Sequence, residues 1–311
     1  MKFKKPTFWD YKKPTLISYI LLPISFLIIL FNLLKNKKKI KIQKIKTICI
    51  GNIYVGGTGK TPISIKLNQI LNNLNFKSAF IKKNYSDQFD EQILLSSKGK
   101  LYCERNRMDS LKKAINDKIE IAIFDDGLQD QYIDYDISFV CFNSHNWIGN
   151  GLIIPSGPLR ENLKSLKKYD AIFLNGNGEE TLLIQNTIKK INPFIKIFEG
   201  EYTALNIEKL DKNQNYLVFS GIGSPNSFLK TLEKYNFKII KNINFPDHYN
   251  YSNQDITNIK KIAKNLNAQI ITTEKDYNRL NKLNSENINY LEIELKIKNE
   301  SEFINFLNSK L

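Results

Sequence analysis

The sequence predicts an α/β protein with a mostly parallel sheet domain, a smaller C-terminal α/β domain and an N-terminal membrane helix. Short apolar runs alternate with longer amphipathic ones, which is typical of β-α units that build a parallel sheet. The composition changes before residue 200, where a second set of such runs begins. An uncharged run near the start predicts the membrane helix. The expected boundaries are 1–34 for the anchor, 35–200 for the larger domain and 201–311 for the smaller one.

The membrane helix is predicted from Thr15 to Leu34, where Tyr19 has the only ionisable side chain. A helix of this length would reach about 30 Å, the thickness of a bilayer's hydrocarbon core. Pro23 would kink it, and aromatic residues beside it favour the headgroup level, so a tilted or interfacial anchor is an alternative. A buried core helix is a further alternative. The lysines of KNKKKIKIQK, residues 35–44, indicate that the rest of the chain stays on the cytoplasmic side, beside anionic lipid.

The composition argues against two classes of protein. A net charge of +15 would suggest nucleic acid as a partner, but residues 1–46 account for +11 of it, which leaves only +4 for the rest. We therefore expect no nucleic-acid partner. The cysteines, Cys49, Cys103 and Cys141, are scattered without C-x-x-C spacing, which argues against structural zinc and suits a reducing compartment.

Buried parallel strands are expected wherever a short, nearly continuous apolar run lies between turn residues. Runs of this kind in the larger domain predict strands at 46–50, 78–82, 119–124, 137–142 and 170–174. The smaller domain is predicted to contain strands at 216–220, 237–240 and 268–273, with helices after Pro225 and from about Asn253.

The stretch GNIYVGGTGKTP, residues 51–62, lies between the first predicted strand and an amphipathic helix. It matches the ATP-binding signature G-x-x-x-x-G-K-[ST] at Gly59, Lys60 and Thr61, but Tyr54 occupies the position of the first glycine. Strand, glycine turn, Lys-Thr and helix together direct backbone N–H groups at phosphate oxygens. The stretch therefore predicts a P-loop NTPase-like domain, with a glycine turn and an incidental lysine as the alternative.

The P-loop makes ATP and Mg²⁺ the expected cofactors. Lys60 would reach the β and γ phosphates and Thr61 would hold the metal. The full set of predicted nucleotide contacts is Gly56, Gly57, Thr58, Gly59, Lys60 and Thr61.

Acidic residues at the end of a neighbouring strand are the second requirement for a nucleotide enzyme. Asp125 and Asp126 directly follow the apolar run at 119–124, where a metal-binding carboxylate reaches Mg²⁺ in related sheets. An acidic turn is the alternative, because Asp and Gly favour turns. Elsewhere, Asp90 and Glu91 open an apolar run and could be simple helix N-terminal acids, while His248 lies in a polar loop that suits a catalytic histidine.

Seven motifs follow one another along the chain: GNIYVGGTGKTP, DEQILL, FDDGLQD, GNGLIIPSGPLRE, FSGIGSPNSF, FPDHYNYS and TTEKD. Their order is the one seen in the tetraacyldisaccharide 4'-kinase family, the lipid A 4'-kinases of Gram-negative bacteria. The chain therefore resembles this family, whose loop usually lacks the first glycine of the ATP-binding signature. The resemblance implies a monomeric, membrane-associated enzyme that uses MgATP to phosphorylate the distal sugar of the lipid A precursor, tetraacyldisaccharide 1-phosphate.

The resemblance also implies residue roles. Asp90 would be the base, His248 would pair with it, and Glu91 would contact the metal together with Thr61, Asp125 and Asp126. Gln129 and Arg160 would contact the substrate headgroup. The boundary near residue 200 would put Asp90 and His248 in different domains. Asp130 and Tyr249 stand where the family usually has histidine.

Two other functions fit the same residues. A membrane-attached P-loop kinase could act on another lipid or on a sugar. A nucleotide-gated membrane regulator would bind ATP without transferring phosphate, and it would tolerate neutralisation of Asp90.

Overall fold

The computed structural model describes residues 5–34, 39–85, 88–130, 132–176, 181–280 and 285–311. These residues form two compact units, to each of which separate parts of the chain contribute. The larger unit consists of Lys5–Asn84, Gly99–Glu201 and Ile297–Leu311, and the smaller one consists of Tyr85–Lys98 and Tyr202–Lys296.

Helices and strands alternate through most of the described chain. The α-helices are α1 (Leu16–Ile20), α2 (Leu22–Leu34), α3 (Lys60–Asn73), α4 (Phe89–Lys98), α5 (Arg107–Asn116), α6 (Thr181–Ile191), α7 (Pro225–Lys234), α8 (Asn253–Asn265), α9 (Glu274–Arg279) and α10 (Glu300–Lys310). The strands are β1 (Ile40–Lys41), β2 (Lys46–Gly51), β3 (Ser78–Lys83), β4 (Leu101–Glu104), β5 (Ile121–Asp125), β6 (Ile133–Asp134), β7 (Ile137–Asn143), β8 (Ala171–Asn175), β9 (Lys196–Ala204), β10 (Asn215–Ser220), β11 (Lys238–Asn244), β12 (Gln269–Thr273), β13 (Ile288–Leu291) and β14 (Ile293–Ile297). All predicted strands are confirmed.

Within the described residues, the principal sheet has the strand order β14-β9-β8-β7-β2-β5-β3-β4. All pairings from β9 to β4 are parallel. Strands β2, β5 and β7 are covered on both faces, which explains their nearly continuous apolar sequences. The P-loop leaves the sheet from the carboxyl end of β2, and β5 ends beside it because Ile50 pairs with Asp125.

The N-terminal segment forms two short helices rather than the single helix predicted. Thr15 caps α1 through Ser18, and Pro23 lies in the first turn of α2, where its missing N–H costs no hydrogen bond. Among the residues described, none of the helices has the length and apolar character that crossing a bilayer requires. Lys35, Lys37 and Lys38 of the predicted basic cluster lie outside the described residues.

Polar contacts fix this segment to the stretch 150–156 of the larger unit. The Trp9 ring nitrogen donates to the Pro155 carbonyl at 2.9 Å. Ser18 Oγ accepts from Asn150 at 3.1 Å, and Ser25 Oγ lies 2.8 Å from Ser156 Oγ. The side chains that make these contacts are buried, so the N-terminal helices are packed as part of the larger unit.

The smaller unit contains a parallel sheet with the order β11-β10-β12-β13. Among the described residues, the earliest part of the chain in this unit lies within 85–98 and contains α4 with Asp90. The chain returns at Tyr202 and leaves at Lys296. The expectation that Asp90 and His248 belong to different domains was therefore wrong, because α4 packs with the later part of the chain, most closely with α9.

Candidate active site

The P-loop occupies residues 52–59, between β2 and α3. Gly56 and Gly59 have φ values of 140° and 83°, which side-chain-bearing residues adopt only with strain. Gly59 caps α3, so the chain turns directly from the left-handed region into Lys60 and Thr61. The first N–H groups of α3 have no partners within the helix, and together with the helix dipole they suit an anion.

Two buried asparagines hold the loop from the protein side. Asn52 Nδ2 donates to the Gly56 carbonyl at 3.3 Å and to Thr58 Oγ1 at 3.1 Å. Asn175 Nδ2, at the end of β8, donates to the Thr58 carbonyl. The Thr58 side chain is consequently buried against the base of the loop, and its predicted phosphate contact would come from the backbone.

Tyr54 fits the loop because its side chain points into the protein. It is 1% exposed and packs in an apolar cluster with Ile153 and Leu159. Its hydroxyl donates to Asp10 Oδ1 at 2.9 Å and accepts from Lys5 Nζ at 2.5 Å. The residue that replaces the first glycine of the signature thus joins the P-loop to the N-terminal segment.

The two aspartates at the end of β5 differ in environment. Asp125 is fully buried, with Oδ2 2.7 Å from Lys82 Nζ and Oδ1 accepting from Ser64 at 3.2 Å. Asp126 adopts a left-handed conformation with φ of 60° and lies 3.7 Å from Lys60 Nζ. It is therefore Asp126 that faces the P-loop lysine.

Gln129 and Arg160, the predicted substrate contacts, belong to the same hydrogen-bonded chain as the P-loop. Gln129 Nε2 donates to the Asn52 carbonyl at 2.9 Å, and Arg160 Nη1 donates to Gln129 Oε1 at 2.9 Å. Arg160 Nη1 also lies 3.4 Å from Asp126 Oδ1. We call Asn52, Lys60, Asp126, Gln129 and Arg160 the P-loop cluster.

The oxygen atoms of this cluster and of the neighbouring Thr61 fit Mg²⁺. Magnesium prefers oxygen ligands and is usually held by one or two carboxylates together with substrate phosphates and waters. Thr61 and Asp126 supply such oxygens. Throughout the described ranges, no three His, Cys, Asp or Glu side chains are grouped as an all-protein metal site would require.

In the smaller unit, Asp90 lies in the first turn of α4 and is 3% exposed. Its Oδ1 lies 3.1 Å from His248 Nδ1, and its Oδ2 lies 2.7 Å from Arg279 Nη2. Burial alone would raise the pKa of this carboxyl, but the hydrogen bond with His248 and the charge of Arg279 lower it to about 2. Burial alone would lower the pKa of His248, whereas the hydrogen bond with Asp90 raises it. The structure therefore brings the predicted pair together.

The contacts behind this pair connect three further residues. Arg279 Nη1 donates to the Gly221 carbonyl at 2.6 Å and lies 2.8 Å from Asp276 Oδ1. The backbone N–H of His248 donates to the same Gly221 carbonyl at 3.0 Å. We call Asp90, His248, Arg279, Asp276 and Gly221 the Asp90 cluster.

Arg279 and Lys275 are site residues that were not predicted from the sequence. Lys275 Nζ lies 2.8 Å from Glu91 Oε1, and Arg279 contacts Asp90. The two cations are four residues apart on α9, a spacing that places them on one face of a helix. Their spacing to each other and to Asp276 in TTEKDYNR was the available signal, but it does not identify the acids that they meet.

Two positions where the family usually has histidine have structural partners. Asp130 Oδ2 lies 3.4 Å from Arg107 Nη1, and Arg107 Nη2 donates to the Asp126 carbonyl at 2.5 Å. Tyr249 donates to Asp255, whose carboxylate forms the capping box of α8 with Ser252. Asp130 thus supports the turn that contains Asp126.

Comparison with known proteins gives matches over nearly the whole chain. Residues 17–311 match the model of the tetraacyldisaccharide-1-P 4'-kinase family. A tetraacyldisaccharide 4'-kinase of Pelagibacter ubique is 52% identical over 307 residues, which cover 99% of this chain and 98% of the relative. A tetraacyldisaccharide 4'-kinase of Rickettsia typhi is 35% identical and covers 100% of this chain and 98% of its own length.

A solved structure has the same fold. The crystal structure of LpxK from Aquifex aeolicus in complex with ATP aligns with a TM-score of 0.68 and 21% identity. The alignment covers 94% of this chain and 99% of that chain.

Proposed function

Because the chain belongs to the tetraacyldisaccharide-1-P 4'-kinase family, we propose that it transfers the γ-phosphoryl group of ATP to the 4'-hydroxyl of tetraacyldisaccharide 1-phosphate, giving lipid IVA. It is a kinase of lipid A biosynthesis. The observation that carries the proposal is the P-loop itself, in which Gly59 turns the chain so that Lys60 opens α3 beside Asp126.

The larger unit would bind the nucleotide. The N–H groups at the start of α3 and the Lys60 ammonium would hold the phosphates, and Thr61 and Asp126 would hold Mg²⁺. When bound, the metal neutralises charge that develops on the transferred phosphoryl group. Asp125 and Glu91 are also proposed metal contacts, although each already pairs with a lysine.

The smaller unit would handle the acceptor hydroxyl. Asp90 is ionised at neutral pH, and the remaining lone pairs of its carboxylate could accept a hydrogen bond from a sugar hydroxyl. A carboxylate whose pKa is about 2 is a weak base. Phosphoryl transfer tolerates this weakness, because its loose transition state depends more on positioning the hydroxyl than on early removal of its proton. His248 would fix the orientation of the carboxylate.

The anionic headgroup of the substrate would meet Arg160. Its guanidinium is 30% exposed and is oriented by Gln129 and Asp126, so it could form a charge-assisted hydrogen bond with a phosphate. Gln129, held by the Asn52 carbonyl, would link this contact to the P-loop.

The N-terminal helices would lie on the cytoplasmic face of the inner membrane, where the acyl chains of the substrate reside. Leu16, Ile20 and Phe26 are each at least 65% exposed, and other apolar side chains of α1 and α2 are exposed as well. An exposed apolar surface with lysines beside it suits an interfacial anchor. We propose that the enzyme works there as a monomer.

The direct test is transfer of labelled γ-phosphate from ATP to tetraacyldisaccharide 1-phosphate in detergent micelles. Wild type would be compared with Lys60→Ala, Asp90→Ala and His248→Ala, all checked for folding by thermal unfolding. Transfer by the wild type that is lost in Lys60→Ala and Asp90→Ala supports the proposal. ATP binding by a folded wild type without transfer to this acceptor would favour another lipid or sugar acceptor, or a nucleotide-gated regulator.

A further inference from the structure

Arg279 is linked to both members of the Asp90–His248 pair, directly to one and through a shared carbonyl to the other. It binds Asp90 directly, with Nη2 2.7 Å from Oδ2. It reaches His248 through the Gly221 carbonyl, which accepts from Arg279 Nη1 at 2.6 Å and from the His248 backbone N–H at 3.0 Å. We propose that Arg279 is a positioning residue that fixes Asp90 and His248 relative to each other for phosphoryl transfer.

The arginine is itself held in place. Its side chain is 7% exposed, and Asp276 Oδ1 lies 2.8 Å from Nη1. Asp276 in turn accepts from the Tyr251 hydroxyl at 2.9 Å, from the Gly221 N–H at 3.0 Å and from the Thr273 hydroxyl at 2.7 Å. A guanidinium with this many fixed partners loses little further freedom when it binds Asp90, so it can hold the carboxylate in one orientation.

His248 needs support from neighbouring residues because its backbone conformation is unusual. Its φ is 54°, a left-handed conformation that is uncommon for residues other than glycine and is kept only where surrounding contacts impose it. The hydrogen bond to Gly221 is one such contact. Gly221 also has little room around it, since a Cβ there would lie 3.0 Å from the Tyr251 hydroxyl and 3.1 Å from the Pro246 carbonyl. The Gly221 carbonyl, which accepts hydrogen bonds from Arg279 and from the His248 N–H, therefore belongs to a residue in a crowded position.

Arg279 and His248 together orient the carboxylate. Each oxygen of Asp90 accepts one hydrogen bond, Oδ1 from the imidazole and Oδ2 from the guanidinium. The plane of the carboxylate is therefore fixed at two points. A carboxylate oxygen can accept more than one hydrogen bond, which leaves capacity for a substrate hydroxyl. Loss of Arg279 would free one of the two points, and small misplacements of a reacting group lower rates by on the order of 100-fold.

This inference rests on the proposed role of Asp90 in phosphoryl transfer. The test compares wild type with Arg279→Met and Arg279→Lys in the labelled-phosphate assay, with kcat and the KM for ATP measured separately. We expect kcat to fall on the order of 100-fold in Arg279→Met and about 10-fold in Arg279→Lys, because lysine lacks the planar fork with which Arg279 reaches Asp90 by one nitrogen and Asp276 and Gly221 by the other. The KM for ATP should stay within about twofold of the wild-type value, because Arg279 is not part of the P-loop cluster.

Lys98→Met is the matched control. Lys98 lies on the same helix as Asp90 and pairs with Glu292 at 3.4 Å, so its loss also removes an ion pair of α4. We expect its kcat to remain within about twofold of wild type, because the effect of a partly exposed pair is small. If Lys98→Met loses as much kcat as Arg279→Met, the effect comes from the packing of α4 and the positioning role is wrong.

A double-mutant cycle separates positioning from general stabilisation. If Arg279 acts by aligning the pair, Arg279→Met in the His248→Ala background should lower kcat by a smaller factor than in the wild-type background. Equal factors in the two backgrounds, or a wild-type kcat in Arg279→Met, would overturn the inference. Should Arg279→Met fail to fold, the same cycle with Arg279→Lys decides the question.

The proposed function can fail separately. If the wild type transfers no phosphate, the acceptor or the activity is wrong. If the wild type transfers phosphate and Asp90→Asn is equally active, the role of Asp90 is wrong, and with it the positioning role of Arg279.

Discussion

The P-loop cluster and the Asp90 cluster are assembled from the chain in different ways. The loop that defines the first lies within residues 51–62, and its acidic partner follows the neighbouring strand β5. In the second, Asp90 is 158 residues from His248 and 189 residues from Arg279. A site built around one local motif can be found by pattern, whereas a site built from distant residues depends on how helices pack.

The two clusters also differ in how tightly their charges are paired. Lys60 and Arg160 lie 3.7 and 3.4 Å from Asp126, longer than a good charge-assisted hydrogen bond. Asp90 and Arg279 are 2.7 Å apart and nearly buried. The loosely paired cations can exchange Asp126 for a phosphate at little cost. The tightly paired Asp90 is suited to staying in one place.

Loss of Lys60 should have the largest effect and should be specific to catalysis. We expect Lys60→Ala to lower kcat/KM by about 1000-fold, because a charge that stabilises the transferred phosphoryl group is removed. Its long contact with Asp126 contributes little to folding, so the melting temperature should change little. Phosphate-transfer kinetics and thermal unfolding check this together, and a large loss of stability would mean that the P-loop cluster is not loosely paired.

The buried pair of Lys82 and Asp125, in contrast to Lys60, should contribute strongly to the stability of the larger unit. Lys82→Met leaves Asp125 charged, buried and without this partner, which should cost about 3 kcal/mol in the free energy of unfolding measured with urea. Lys100→Met is the control, because Lys100 and Asp117 form a surface pair at 3.7 Å. A change below about 1 kcal/mol in Lys82→Met would show that water or another partner compensates Asp125.

Asp90 should make the free energy of unfolding depend on pH in the acidic range. Its pKa is lowered from its ordinary value of 3.8 to about 2, so its stabilising contribution is fully present above pH 4 and is lost as the pH falls through about 2. The expected loss is about 2 kcal/mol. Urea unfolding between pH 5 and 2 should show this loss in the wild type and not in Asp90→Asn. Parallel pH curves for the two proteins would contradict tight pairing of Asp90.

Tyr54→Phe should give the smallest effect. The hydroxyl that bonds Asp10 and Lys5 is removed while the packing of the ring is kept, so the free energy of unfolding should fall by about 1 kcal/mol. Tyr11→Phe, at an exposed position of the same segment, is the control. Faster proteolysis before α1 in Tyr54→Phe alone would locate the effect at the contact with the N-terminal segment, and equal rates in both variants would argue against it.

The fold was predictable where a strand is buried on both faces. KTICIG of β2 and IAIFD of β5 contain nearly continuous apolar runs because these strands are buried on both faces of the sheet. LYCE of β4 and INYL of β13 are strands too, but each is short and partly exposed, so its sequence has no comparable pattern. The two-helix N-terminus was missed because apolar length alone does not reveal the break at Leu21.

The site was predictable from the sequence only where its residues belong to a local motif. Lys60 and Asp126 follow from a loop motif and a strand end, both of which are local. The pairing of Asp90 with His248 came from family resemblance, and the sequence boundary near residue 200 separated the two. Arg279 was missed because its role depends on which acids α9 meets after folding, and no spacing in TTEKDYNR specifies them.

The packing of the N-terminal helices has a practical consequence for making a soluble enzyme. Deleting residues 1–34 would remove the partners in that segment of the Tyr54 and Ser156 hydroxyl groups and of the Asn150 amide. A better route keeps Trp9, Ser18 and Ser25 and replaces exposed apolar side chains of α1 and α2 with polar ones. Solubility can then be improved by making the exposed surface of the segment more polar, while its buried face is left unchanged.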